Sequence, residues 1–224
     1  MNGALNLSGD FMKGRLLFIK EWCRKRQLVY KEALAKILQE AVKNVHTVEQ
    51  REYMERRLSQ EIILSSASLP DWFDKALLEG MTKVLKYSDA PRNSFSSQQS
   101  CIPFEAGRFN AHRQAETVFK AIFKGKTPQQ WTRTSFSVLY GMCYGQEAVP
   151  GLRVEEISPC MFRIHMPRKD LANASPLDCS TVMGYLYGAM EKLGADGILV
   201  LHDKCSLAWE EVFPECVFEL SWNE

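Results

Sequence analysis

The hydrophobic period changes once along this chain, and that change sets the class of fold. Before Gly145 the apolar residues recur at spacings of three and four. Leu34, Ile37, Leu38, Ala41 and Val45 form one such run, and Phe73, Leu77, Leu78, Met81 and Leu85 another. These spacings place apolar side chains on one face of an α-helix. From Phe162 the period is two. Phe162, Ile164 and Met166 alternate with Arg163 and His165, the mark of a half-buried strand. Thr181 to Leu193 returns to helical spacing. Ile198 to Leu201 is apolar on both faces and reads as an inner strand. Cys216, Phe218, Leu220 and Trp222 then share one face of a last strand. The expected fold class is α+β. A helical N-terminal segment is followed by a C-terminal domain of helices packed on a mainly antiparallel sheet.

Local signals divide the helical part. Thr47 with Gln50 three residues on resembles a capping box. Ser68 before Leu69-Pro70-Asp71 reads as a helix start with Pro in the first turn. Residues 88–103 are rich in Ser, Gln, Pro and Asn and form the best linker. The expected organisation is 1–100 as helical dimerisation segment and linker, and 101–224 as the second domain. Within the latter, Phe104 to Phe123 is helical in spacing and Thr127-Pro128 starts another helix.

Composition narrows the function classes. The net charge of +1 gives no broad electrostatic case for nucleic acid or an anionic membrane surface. No apolar run is long enough to span a bilayer, and MNGALNLSGDFMKGR lacks the pattern of a secretory signal. Seven cysteines without an export signal point to a reducing cytoplasm, where clustered thiols favour metal over disulfide.

Cys179 near a helix start, His202 and Cys205 at a strand end and Cys216 at the opening of the last strand supply a Cys3His set. Thiolate and imidazole in a four-fold set are the ligands of structural zinc. His202 and Cys205 would point to opposite faces of a straight strand, so they converge only if the chain turns at Asp203-Lys204. The expected cofactor is a structural zinc that staples helix and sheet. The same residues also read as core: Cys179 and Cys216 as small buried hydrophobes and His202 as a satisfied histidine.

Cys179, Gly184, Tyr185 and Gly188, an apolar strand, His202 to Cys205, and Cys216 with Phe218 resemble the 4-vinyl reductase domain family. This is a small-molecule-binding family that includes phenol-sensing bacterial activators and shares its fold with transport-protein-particle subunits. The resemblance covers about the last 45 residues. It implies zinc at the cysteine cluster, with His202 where the sensors have glutamate. It departs in the Cys205–Cys216 loop, which lacks their glycine, and in having no ATPase or DNA-binding segment after Trp222. It also implies an apolar pocket with a His and a Trp facing the ligand. Here His112 and Trp131 lie in comparable segments, with Phe104, Phe119, Phe136, Tyr140 and Tyr185 available as lining.

The implied function is a non-enzymatic sensory domain for a small hydrophobic or aromatic ligand. It would act as a homodimer upstream of a signalling protein. No phosphate loop, nucleophile elbow or paired-acid motif is present. Two alternatives stay open. One is a ligand-free interaction module of the same fold. The other is a haem- or tetrapyrrole-binding protein, with His46, His112 or His165 as axial ligand.

Overall fold

The computed structural model describes residues 7–58, 71–85, 101–167, 176–205 and 215–224. The chain divides into two compact units, Met1–Ala106 and Gly107–Glu224.

The first unit is helical: α1 (Leu7–Lys25), α2 (Tyr30–Lys43), α3 (Val48–Leu58) and α4 (Asp71–Val84). Each of the three long helices buries one stripe. Met12, Leu16, Ile19 and Cys23 lie inside on α1, Leu34, Ile37, Leu38 and Ala41 on α2, and Phe73, Leu77 and Met81 on α4. These steps of three and four residues are the helical period made into a core. Gly80 lets α4 approach α2 closely, since a Cβ there would fall 2.3 Å from the Ile37 carbonyl oxygen. The capping box before α3 is present: Gln50 N–H donates to Thr47 Oγ1 at 3.1 Å and the Gln50 side chain accepts from Thr47 N–H. The helix start at Ser68–Pro70 and residues 88–100 of the expected linker lie outside the described residues, while Ile102 and Pro103 at its end open a helix and not a loop.

α5 (Ile102–Glu116) begins in the first unit and belongs from Gly107 to the second. A short α6 (Lys120–Phe123) follows, then α7 (Pro128–Gln130), a π-helical turn (Trp131–Ser135) and α8 (Phe136–Tyr144) in one continuous run. A 3-10 turn (Gln146–Gly151) leads into the sheet. Its strands are β1 (Arg153–Ser158), β2 (Met161–Pro167), β3 (Leu199–Lys204) and β4 (Glu215–Ser221), with α9 (Pro176–Lys192) between β2 and β3. The order is β1-β2-β4-β3, and every neighbouring pair is antiparallel. The α+β class with a helical start is therefore observed.

Phe162, Ile164, Cys216, Phe218, Leu220 and Val200 form the buried face, against which α9 sets Met183, Leu186 and Met190. The strand at Ile198–Leu201 departs from the expected inner position. β3 is an edge strand, and Leu199 and Leu201 are exposed while Val200 is buried. A run apolar on both faces does not distinguish a covered strand from an edge strand with an apolar outer side, because strand order is set by non-local pairing.

Two glycines bring α5 and α9 together at backbone distance. A Cβ on Gly107 would fall 2.1 Å from the Thr181 carbonyl oxygen, and one on Gly188 would fall 2.6 Å from that of Arg108.

Candidate functional site

The cysteine–histidine cluster is assembled by a β-bulge. His202 pairs with Phe218 and Lys204 with Val217, so the register slips at Asp203. One extra residue turns Cys205 to the side of His202. This is the turn the sequence requires at Asp203-Lys204. Cys216 enters from β4 on the same buried face as Phe218, and Cys179 from the first turn of α9. One ligand-type atom of each of Cys179, His202, Cys205 and Cys216 lies within 4.8 Å of the others. The Cys179 and Cys216 sulfurs are 3.9 Å apart. The His202 ring stacks on Phe218 at 4.6 Å, and its Nε2 is buried without a hydrogen-bond partner.

The aromatic residues expected to line a pocket fall in two groups. Trp131, Phe119, Phe136 and Tyr140 are all buried in the second unit. Trp131 is in ring contact with Phe136 at 5.7 Å, and Phe136 with Tyr140 at 6.4 Å. Phe123, which the sequence reading passed over, completes the row 5.3 Å from Trp131. Tyr140 also donates its hydroxyl to the Pro167 carbonyl at 3.4 Å. Tyr185 is half-buried on α9. Phe104 is buried in the first unit.

Trp131 sits where the helix changes hand-over from α to π hydrogen bonding. Thr127 and Gln130 form a capping box at the start of this run. Thr132 and Thr134 then donate their hydroxyls to the carbonyls of Pro128 and Gln130 at 2.9 and 2.8 Å. Threonines that bond back to the preceding turn compete for its carbonyls and loosen the ladder. A π-turn is uncommon and recurs at functional positions. Arg133 of the same turn grips Glu156 of β1, which anchors the turn to the sheet. The Trp131 side chain is fully buried, and its indole N–H has no hydrogen-bond partner.

His112 is held elsewhere. Arg108 and His112 lie one turn apart on α5 and meet Glu191 of α9. Arg108 donates two bonds of 2.6 Å, and His112 Nε2 lies 3.0 Å from the second carboxylate oxygen. Burial pushes the Glu191 carboxyl up. Hydrogen bonds and charge from Arg108 and His112 outweigh it and hold the group below the ordinary carboxylate range. The sequence signal for this bridge was an Arg and a His four residues apart on one helix face. Its partner 79 residues from His112 had no local signal.

The other two histidines are also engaged or exposed. His165 on β2 has Glu215 at 2.8 Å from Nδ1 and Glu155 at 3.4 Å from Nε2, with the Arg153 guanidinium 3.0 Å from Nδ1. His46 is exposed in the turn before α3.

No protein-family model matches the sequence, and no curated protein is significantly similar to it. Solved structures do match, over nearly the whole chain. One is a domain from work on haem distortion in the H-NOX family, 11% identical, covering 95% of each chain, with TM-score 0.55. A second is an oxygen-binding H-NOX domain related to soluble guanylate cyclases, 12% identical, covering 92% of each chain, with TM-score 0.53. A third is an H-NOX domain from Shewanella oneidensis, 14% identical, covering 85% of this chain and 97% of that one, with TM-score 0.51.

These likenesses correct the family suggested by the last 45 or so residues. The neighbours are H-NOX domains, and nothing found supports the 4-vinyl reductase family. The residues that suggested it have packing causes of their own. Gly188 is where α9 touches α5, and Cys179 and Cys216 are small side chains, 3% and 1% exposed, between α9 and the sheet. Zinc as the cofactor implied by the family is corrected with it, since the work on these neighbours concerns haem. The chain carries the H-NOX fold.

Proposed function

We propose that this chain is a non-catalytic sensory domain that binds a small apolar or aromatic molecule and passes the signal to a partner protein. The observation that supports the sensory role is the fold, shared along almost the whole chain with structures described as oxygen-binding and as undergoing activation. The ligand position rests on Trp131. A buried N–H without an acceptor costs about 1–3 kcal/mol. A ligand carrying one carbonyl, ether or hydroxyl oxygen would offset that cost and pack its apolar body against Phe123, Phe136 and Tyr140. His112, proposed from the sequence as a second ligand contact, would have to leave Glu191 to take that role.

The test is a titration with phenols and short-chain acyl compounds, read by melting temperature and intrinsic fluorescence. Trp131→Phe keeps most of the packing and removes the N–H. The expected result is saturable binding by wild type that weakens about tenfold or more in the variant, the size of one lost hydrogen bond. If no compound binds, or the variant binds equally well, the ligand reading fails and the ligand-free interaction module takes its place.

A second reading rests on His202. Packing accounts for Cys179 and Cys216, but not for a buried imidazole nitrogen that lacks a partner beside three thiols. Cys179, His202, Cys205 and Cys216 form a donor set suited to a soft metal ion, whose identity elemental analysis would supply. Freshly purified, reduced wild-type protein is expected to carry such an ion at close to one per chain, and Cys205→Ser to lose it with a fall in melting temperature. Metal-free wild-type protein would leave the four residues as core.

A further inference from the structure

We infer that this chain does not take haem on a histidine, although it has the fold of haem domains. The inference holds whatever ligand Trp131 meets.

An axial histidine must offer iron a free ring nitrogen and face an apolar slot wide enough for the macrocycle. The chain has four histidines, and all lie among the described residues. None meets both conditions. His46 is exposed in a turn. The His112 side chain is 42% exposed, and its Nε2 is committed to Glu191. Withdrawing it would strip a half-buried carboxylate of one of its two hydrogen-bond partners. His165 is 12% exposed and lies among charges and not in an apolar slot: Glu215 and Arg153 lie against Nδ1, and Nε2, which makes no hydrogen bond, is 3.4 Å from the Glu155 carboxylate. His202 lies flat on Phe218 with three sulfurs around it. Its Nε2 has no hydrogen-bond partner, but the ring sits among three thiols and not against an apolar slot that could take a macrocycle.

The interior of the second unit agrees. A porphyrin needs van der Waals distance on both faces, about 7 Å between the groups that sandwich it. The α5 and α9 backbones meet at Gly107 and Gly188, where even a methyl group would collide with a carbonyl oxygen. The row Phe123, Trp131, Phe136 and Tyr140 is in continuous ring contact, with centroids 5.3, 5.7 and 6.4 Å apart. A small molecule can lodge against such a row, but a macrocycle cannot enter it without separating the rings.

The test uses the full chain, expressed with added haem precursor and separately titrated with hemin. The readouts are the Soret band, its shift when reduced protein meets carbon monoxide, and haem extracted per chain. His46→Ala, His112→Gln, His165→Gln and His202→Ala are treated in parallel, with circular dichroism and melting temperature confirming that each folds. The expected result is no stoichiometric haem in wild type. Stoichiometric haem that persists in all four variants would equally support the inference. Stoichiometric haem whose Soret band is lost in one folded variant overturns it and names the axial residue. Failure here would leave the sensory reading standing, because that reading fails on the small-molecule titration instead.

Discussion

Gly107→Ala is expected to destabilise the second unit by about 3 kcal/mol, at the upper end of what inserting a single group into a packed interior costs. The added carbon would sit 2.1 Å from the Thr181 carbonyl oxygen and 3.0 Å from the Tyr185 backbone nitrogen. Both obstacles are backbone, so no rotamer change relieves them. α5 must instead move off α9 by about an ångström, which would loosen the Arg108–Glu191 bonds that join the two helices a few residues away. Urea unfolding followed by far-UV circular dichroism measures the loss. Gly141→Ala is the comparison. The nearest obstacles there are the side chains of Val149 and Gln146, which can shift, so its expected cost is about 1 kcal/mol. Equal costs at the two positions would mean that the helix crossing is not at backbone contact.

In the first unit, Asp74→Ala is expected to cost about 2–3 kcal/mol, somewhat below the loss from breaking a fully buried pair because the aspartate is half-open to water. Arg15 on α1 is 6% exposed in its side chain, and Asp74 on α4 is 38% exposed. The guanidinium meets the carboxylate through Nε and Nη2, both at 3.3 Å. Removing Asp74 leaves a buried positive charge without its carboxylate, whereas the double change Arg15→Met with Asp74→Ala removes charge and partner together. The double variant should therefore regain most of the stability lost in the single one. Chemical unfolding of wild type, both single variants and the double completes the cycle. A double variant no more stable than Asp74→Ala would show that packing around Arg15, not its charge, carries the effect.

Much of the architecture was legible in the sequence because it is written locally. Helical spacing along α1, α2 and α4 and the alternation in β2 and β4 follow from which side chains must leave water together. The box at Thr47–Gln50 and the helix start at Thr127-Pro128 are signalled by residues close in the chain, and the structure contains both. The candidate site was legible in part. Cys179, His202, Cys205 and Cys216 do converge. The condition for it, a turn at Asp203-Lys204, could be stated in advance because strand alternation otherwise separates His202 from Cys205.

What only the tertiary structure decided depends on partners far apart in the chain. Nothing near Leu199 or Leu201 says that β3 lies at an edge, since strand order follows from pairing with β4 more than ten residues on. Nothing near His112 says that it meets Glu191 and not Trp131. The family could not be read from the last 45 or so residues, because a glycine at a helix crossing and small buried cysteines arise in any fold that needs close packing there. The orphaned indole N–H of Trp131 likewise exists only in three dimensions. A sequence shows that a tryptophan is present, but whether its N–H has a partner depends on every group packed around it.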